Sequence, residues 1–242
     1  IDEAEFAFAN TIDSEDVACF IAECVQGEGG FIPQPAKYLK AIKDLCEKYG
    51  ILYIADEIQS GFCRTGKFFA IEHMGFNPDI MTIAKSMADG MPLAATLVKS
   101  ELDKVRPGQL GGTYMGNAVA CAASCAAVDA FKSFDFCGRA VEIGNYIKSR
   151  VEKMMSKHAQ IGDFRGLGAM CAMEIVEDPK TKKPGAKLLA QIIKECNKRG
   201  MLVLSCGMRG NNMRFLPPLV ITDEQLAQAM DILEEACDVV LD

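Results

Sequence analysis

The sequence is poor in the residues and spacings that build metal sites and disulfide frameworks. Its 242 residues include two histidines, no tryptophan and eleven cysteines, an odd number. The cysteines are scattered from Cys19 to Cys237 without a C-x-x-C pair, whereas metal sites and disulfide frameworks need closer or more regular spacing. We therefore predict no metal site, and we interpret the cysteines as small buried thiols of a reducing cytoplasm.

Long apolar runs and basic clusters are also absent. No apolar stretch approaches the ~20 residues of a membrane-spanning helix, and the first residues, Ile1–Glu5, are acidic where a signal peptide would be basic. The chain has 26 basic and 33 acidic residues, for a net charge of −7. Because nucleic-acid-binding domains usually carry a clustered basic face, we expect neither a nucleic acid nor a membrane as a partner.

Strand-like and helix-like segments alternate along the first part of the chain. Short apolar runs at Val17–Ala22, Ile51–Ala55 and Ile80–Ala84 predict buried strands. An amphipathic helix is predicted between the first two runs, ending at Gly50. Such alternation is typical of a parallel sheet covered by helices. The sequence therefore predicts an α/β fold with a mostly parallel sheet in a large domain.

The composition changes near residue 135. Before it, an alanine-rich segment predicts a long buried helix over 116–134 with Asn117 as its N-cap. After it, the pattern predicts charged amphipathic helices, three strands and a last helix that begins at a capping box on Thr222. We therefore place a large domain at 1–135 and a smaller α+β C-terminal domain at 136–242.

Polar residues follow the predicted strands at four places. They are Glu23 with Gln26–Gly30, then Asp56–Gln59, then Lys85, and finally Gly111–Thr113. Ligands of open parallel sheets bind at the carboxyl ends of the strands. A lysine amine condenses with an aldehyde, and a carboxylate beside a pyridine nitrogen keeps that nitrogen protonated.

Lys85 and Asp56 therefore suit pyridoxal phosphate chemistry. The cofactor's phosphate would need hydroxyl and backbone N–H donors near a helix start. Gly112, Thr113 and the helix capped by Asn117 are the candidates for those donors.

A nucleotide-triphosphatase hypothesis is weaker. Gly61–Lys67 fits the pattern G-x-x-x-x-G-K, and a strand ending in Asp56 resembles a magnesium-binding strand. Phe68, however, stands where such a loop needs Ser or Thr for Mg²⁺, and no apolar strand leads into Gly61. The strand with the acid also precedes the loop instead of following it, so we set this hypothesis aside.

Several segments, in the family's order, resemble the class III aminotransferases. They are Ala55–Gly66, Pro78–Ser86, Leu110–Asn117, Arg165–Gly168 and Met213–Leu219. The resemblance implies a fold-type I pyridoxal phosphate transferase. Gln26–Phe31 is most similar to 4-aminobutyrate aminotransferases, with ornithine aminotransferases close behind. We therefore expect transamination of an ω-amino acid, with 4-aminobutyrate as best candidate, onto 2-oxoglutarate; an ornithine or acetylornithine type is the alternative.

The resemblance also implies roles for the cofactor-binding residues. Lys85 matches the Schiff-base lysine, Asp56 the acid paired with the pyridinium nitrogen, and Gln59 the residue beside the phenolic oxygen. Thr113 matches the hydroxyl that reaches the phosphate of the neighbouring subunit's cofactor, which implies a homodimer or larger assembly. Glu57, next to Asp56, is expected to be structural.

Two further matches concern the substrate. Arg214 matches the arginine that grips the α-carboxylate, a task for which a planar bidentate donor is better suited than lysine. Glu28 matches the glutamate that pairs with this arginine, releasing it for a dicarboxylate and masking it when an ω-amine binds. Cys24 and Asp89 stand where Pro and Gly are common in the family, and neither matches a catalytic role.

The family's N-terminal portion has no counterpart in the sequence. That portion holds another phosphate loop and the aromatic residue that stacks on the cofactor ring. We expect the chain to be part of a longer catalytic protein, since every catalytic residue that can be matched is intact; a truncated non-catalytic product is the alternative. A cytoplasmic location is the expectation for an acidic, cysteine-rich chain, and a mitochondrial presequence would lie upstream.

Overall fold

The computed structural model describes residues 1–242 and contains six α-helices, four short 3-10 helices and eleven strands. The helices are α1 (Asp2–Asn10), α2 (Ala36–Tyr49), α3 (Ala118–Ser133), α4 (Phe136–Lys157), α5 (Ala186–Lys198) and α6 (Asp223–Leu241). The strands are β1 (Cys19–Glu23), β2 (Val25–Gln26), β3 (Ile32–Pro33), β4 (Leu52–Asp56), β5 (Ile80–Ile83), β6 (Ala95–Val98), β7 (Ile161–Leu167), β8 (Met170–Asp178), β9 (Lys183–Pro184), β10 (Leu204–Cys206) and β11 (Asn212–Phe215).

The chain divides into two compact units. Unit 1 comprises Ile1–Cys24, Gln34–Cys63 and Lys67–Asp135, and unit 2 comprises Val25–Pro33, Arg64–Gly66 and Phe136–Asp242. Two short segments from the first half of the chain therefore group with the C-terminal residues. Spacing and composition do not reveal this, because the contacts that hold these segments are distant in sequence.

Unit 1 is built on a four-stranded sheet in the order β1-β4-β5-β6. The first three strands are parallel, which confirms the predicted mostly parallel α/β fold, while β6 pairs antiparallel to β5. The core beneath the sheet includes Leu39 and Ile42 of α2 and Tyr53 of β4. As predicted, α2 ends at Gly50, whose φ of 69° is the left-handed conformation that glycine adopts without a Cβ penalty.

Helix α3 corrects one prediction. It forms where expected, and the Asn117 side chain caps it, but only Ala120 is buried and Val119 is 62% exposed. The predicted buried helix is therefore largely solvent-exposed in this chain. Alanine is the best helix former, so an alanine-rich segment indicates helix formation more strongly than burial.

Unit 2 is built on an antiparallel sheet in the order β10-β11-β8-β7, with β9 paired to β8. Helices α4 and α5 pack against this sheet. On one face, Phe31 is fully buried in a cluster with Val25, Met170 and Ala172. The predicted capping box is present at the start of α6, where Thr222 and Gln225 exchange side-chain to backbone hydrogen bonds. No helix of the chain has the length and hydropathy that a bilayer crossing requires.

Candidate functional site

Asp56 and Lys85 lie at the carboxyl ends of two neighbouring parallel strands of unit 1. Asp56 is the last residue of β4 and pairs in register with Thr82 of β5. Its Oδ1 accepts a hydrogen bond from the Ile58 amide at 3.0 Å. Strand β5 ends at Ile83, and Lys85 begins a 3-10 helix directly after it. The structure thus brings these two predicted residues to one edge of one sheet.

The backbone at Lys85 is strained. Its φ is 50°, a left-handed conformation that is uncommon for residues other than glycine. Such conformations cost about 1–3 kcal/mol and cluster at functional sites. The side chain is exposed and lines an open depression of about 450 Å³ with Ser86, Asp89 and Met91. Its ammonium forms no ion pair within the chain.

Buried polar atoms without partners occur at the same sheet edge. Gln59 Oε1 and Thr82 Oγ1 are both buried, and neither atom takes part in a hydrogen bond. Buried polar groups are normally satisfied. Tyr53 Oη in the core is a third unpartnered atom, so it is the position of Gln59 and Thr82 near Asp56 that suits a polar ligand. An acid, an amide oxygen, a hydroxyl and an unpaired amine form a donor set that fits pyridoxal phosphate. Thr82 was not singled out from the sequence, because a single Thr in an apolar strand carries no signal.

Glu57 has a different environment from its neighbour Asp56. It is fully buried and accepts hydrogen bonds from Ser60 Oγ at 2.6 Å, Ala70 N at 3.0 Å and Ile71 N at 2.6 Å. Burial raises the pKa of this carboxyl, and the three hydrogen bonds act in the opposite direction. Glu57 therefore ties β4 to the 3-10 helix Ala70–Met74, as expected of a structural residue.

Thr113 lies in an exposed turn before α3. The Met115 amide donates to the Gly112 carbonyl at 3.0 Å, which closes that turn. Asn117 Oδ1 accepts hydrogen bonds from Val119 N and Ala120 N. Two of the α3 amides that the sequence suggested as phosphate donors are therefore already used by the cap. The remaining candidate donors are the backbone of the turn and the Thr113 hydroxyl.

Glu28 and Arg214 form a hydrogen-bonded ion pair in unit 2, between Arg214 Nη1 and Glu28 Oε1. The Arg214 side chain is 18% exposed and that of Glu28 is 75% exposed. Arg214 lies on β11, flanked in register by Leu204 and Ala172. Glu28 lies in the glycine-rich turn between β2 and β3, and its carbonyl accepts a hydrogen bond from the Gly207 amide at 2.8 Å.

The pairing matches the relationship that the sequence resemblance implied, although the two residues are 186 positions apart. An arginine whose partner is an exposed carboxylate on a turn can exchange that partner for another carboxylate. The chain also has no cluster of three or more His, Cys, Asp or Glu residues arranged to hold a metal ion.

Comparison with known proteins gives consistent results. The family model "Aminotransferase class-III" matches residues 3–237. The chain is 43% identical over 232 residues to the 4-aminobutyrate aminotransferase GabT of Escherichia coli, covering 96% of this chain and 54% of that protein. It is 42% identical over 236 residues to the 5-aminovalerate aminotransferase DavT of Pseudomonas putida, covering 97% of this chain and 55% of that protein.

Solved structures agree in fold. An aminotransferase from Bacillus anthracis superposes with a TM-score of 0.91 at 29% identity, over 99% of this chain and 56% of that one. An S-selective transaminase from Arthrobacter superposes with a TM-score of 0.90 at 32% identity, over 100% of this chain and 55% of that one. The chain spans about half the length of the curated relatives it matches. On sequence and fold together, the chain belongs to the class III aminotransferases.

Proposed function

We propose that the protein carrying this chain is a pyridoxal phosphate-dependent aminotransferase that moves the amino group of an ω-amino acid, best 4-aminobutyrate, to 2-oxoglutarate. Family membership supports transamination in general. The relatives named for 4-aminobutyrate and 5-aminovalerate support an ω-amino acid as donor. Ornithine or acetylornithine is the alternative donor.

The cofactor-binding residues of the proposal are Asp56, Gln59, Lys85 and Thr113. Pyridoxal phosphate, when bound, supplies the electron sink that the protein's own side chains lack. The Asp56 carboxylate, whose Oδ1 accepts a hydrogen bond from the Ile58 amide, would hold the proton on the pyridine nitrogen. Gln59 would contact the cofactor's phenolic oxygen. The Thr113 hydroxyl would bind the phosphate in a neighbouring subunit, so the proposed working unit is a homodimer or larger.

Lys85 has two tasks in the proposed reaction. Its amine would hold the cofactor through the aldehyde group between turnovers. With substrate bound, the same amine would be the group that takes the proton from the substrate carbon bearing nitrogen and passes it to the cofactor. An exposed lysine without an ion pair suits both tasks, because no carboxylate of the chain holds its side chain in place.

The observation that carries the choice of an ω-amino acid is the Glu28–Arg214 ion pair. Arg214 binds the α-carboxylate of 2-oxoglutarate or glutamate once Glu28 is displaced. When an ω-amino acid binds, no carboxylate is next to the reacting carbon, and Glu28 remains on Arg214. The pair thereby lets one site accept two substrates that differ by one carboxylate, and it avoids leaving a partly buried arginine unpaired.

The remaining parts of the proposal concern the cellular location and the partners of the protein. We place the protein in the cytoplasm, which the eleven free cysteines support because none is disulfide-bonded. Its partners are then a small amino donor, a 2-oxo acid and a second copy of the chain. The division into a large domain at 1–135 and a smaller C-terminal domain at 136–242 belongs to the same proposal, although Val25–Pro33 and Arg64–Gly66 group with the C-terminal residues.

The test combines labelling with a donor screen. The protein is incubated with pyridoxal phosphate, reduced with borohydride and analysed by peptide mass spectrometry. We expect the label on Lys85 alone. Glutamate formation from 2-oxoglutarate is then measured with 4-aminobutyrate, 5-aminovalerate and ornithine, and 4-aminobutyrate should give the highest kcat/KM. Scattered or absent label would favour the non-catalytic fragment, and a preference for ornithine would overturn the donor assignment.

A further inference from the structure

Arg165 lies at the centre of a polar network in unit 2. Its Nε donates to the Gly30 carbonyl at 3.0 Å, and its Nη2 donates to Asn212 Oδ1 at 2.6 Å. Its Nη1 donates to Asp163 at 2.7 Å and to Glu174 at 2.6 Å. Four of the five guanidinium N–H donors are thereby used, and two carboxylates neutralise the charge. Arg165 therefore has little capacity left to bind a substrate.

The strand register puts Arg165 and Arg214 on the same face of the antiparallel sheet. Both pair with Ala172 of β8, Arg165 from β7 and Arg214 from β11. Residues directly opposite in a sheet point to the same face. Phe31, at the end of the glycine-rich turn, packs on this face beside Ala172. The turn that carries Glu28 is therefore attached to the same surface from which Arg214 projects.

The attachment leaves little free space. A Cβ added to Gly30, whose φ is 127°, would lie 3.2 Å from Arg165 Nη2 and 3.3 Å from Asn212 Nδ2. The Gly207 amide binds the carbonyl of Glu28 on the other side of the turn. Arg165 thus holds the end of the turn through Gly30, while Gly207 holds the middle. With both contacts made, the Glu28 carboxylate stays within reach of Arg214.

We infer that Arg165 is a positioning residue for the Glu28–Arg214 pair: by fixing Gly30 and Asn212, it presents Glu28 to Arg214 and so controls whether Arg214 is masked. The consequence for substrate choice rests on the proposed function, whereas the anchoring of the turn does not. The pairs with Asp163 and Glu174 stay within the β7–β8 hairpin that carries Arg165. The contacts to Gly30 and Asn212 instead reach the turn that carries Glu28 and the strand that carries Arg214.

The anchoring is tested by hydrogen–deuterium exchange on the whole chain. In Arg165→Gln we expect the amides of Gly30, Phe31 and Gly207 to exchange at least about fivefold faster, because the charge-assisted bond to the Gly30 carbonyl is lost. Arg165→Lys keeps the charge beside Asp163 but not the four-way fork, so it should show the same change with less loss of stability. Arg199→Gln, which removes the arginine that follows the last residue of α5, is the control and should leave these amides unchanged.

The substrate consequence is tested by a double-mutant cycle on the two half-reactions. Arg165→Lys should lower the rate with the ω-amine donor about fivefold more than the rate with 2-oxoglutarate, as removal of Glu28 should. In a Glu28→Ala background the same substitution should change this ratio by less than about twofold, because the residues act as one unit.

Each result is decisive in one direction. Unchanged exchange in both Arg165 variants would overturn the anchoring. Faster exchange with an unaltered half-reaction ratio would overturn the control of Arg214 while leaving the anchoring intact. Absence of any transamination in the unmodified protein would refute the proposed function alone, because the exchange experiment does not need turnover.

Discussion

The two sheets of the molecule treat polar groups in opposite ways. At the carboxyl edge of the parallel sheet, Gln59 Oε1 and Thr82 Oγ1 are buried without partners, and Lys85 is exposed and unpaired. On the antiparallel sheet, Arg165 uses four donors within the chain. Unpaired groups suit a ligand that arrives from outside, whereas saturated groups suit a scaffold. The comparison therefore separates residues that are available to bind a ligand from residues that stabilise the fold.

The largest expected effect tests the unpaired groups at the edge of the parallel sheet. Lys85→Ala should lower transamination by about 10²–10⁴-fold, because the proposed proton carrier is removed. The free energy of unfolding should hardly change, since the ammonium has no partner to lose. Turnover with 4-aminobutyrate and 2-oxoglutarate is the measurement, and Lys104→Ala, an exposed lysine elsewhere in unit 1, is the control. Near-normal turnover of Lys85→Ala would refute the assigned role.

The second effect concerns the Glu28–Arg214 pair, which is paired within the chain and is also proposed to bind substrate. Glu28→Ala should slow the half-reaction with the ω-amine donor about tenfold more than the half-reaction with 2-oxoglutarate, which corresponds to ~1.4 kcal/mol. The reason is that Arg214 is left without its partner only when the substrate brings no second carboxylate. Rapid-mixing measurement of the cofactor's absorbance gives both rates. Equal losses in the two half-reactions would contradict the switch.

The last prediction concerns stability, not turnover, and compares two aspartates of unit 1. The Asp79 side chain is 11% exposed and accepts hydrogen bonds from Lys43 Nζ at 2.7 Å, Lys99 Nζ at 2.6 Å and Tyr53 N at 2.9 Å. Burial acts to raise its pKa, but these donors outweigh burial and lower the pKa to about 2. Asp79→Asn should therefore cost about 2 kcal/mol near neutral pH.

The sign of the pH dependence follows from the lowered pKa. The contribution of Asp79 is complete above the ordinary aspartate pKa near ~4 and is lost as the pH falls toward about 2. Urea unfolding of both proteins should show their difference narrowing over that range. Asp56→Asn is the matched control and should change stability by less than about 0.5 kcal/mol, because Asn keeps the oxygen that accepts the Ile58 amide. A constant difference for Asp79→Asn would contradict the charge-based account.

Local patterns were sufficient to predict the elements of the parallel sheet. The runs that became β1, β4 and β5 end in or near charged residues, and Gly50 and Asn117 carry their own capping signals. The antiparallel pairing of β6 was not predicted, because a short strand gives no indication of direction. Helices and strands without clear signals, α1 and β7 among them, were also not predicted.

Long-range assembly was beyond the sequence patterns. Arg165 was included in a motif that resembles the family, yet its partners Gly30, Glu174 and Asn212 come from three separate segments. No periodicity connects such positions, so the network is visible only in the folded chain. Thr82 is similar, since its significance depends on being unpartnered beside Asp56. The Glu28–Arg214 pair was anticipated only through the resemblance.

The composition of unit 2 from three separate segments has a consequence for the order of folding. The segments are joined by hydrogen bonds from Arg165 to the Gly30 carbonyl, 135 residues away, and from Arg64 to the Pro217 carbonyl, 153 residues away. During synthesis at ~5–20 residues per second, Val25–Pro33 and Arg64–Gly66 must wait for about ten seconds or more before β11 is made. The described residues of unit 1 end at Asp135, so the ribosome makes all of them well before it makes β11.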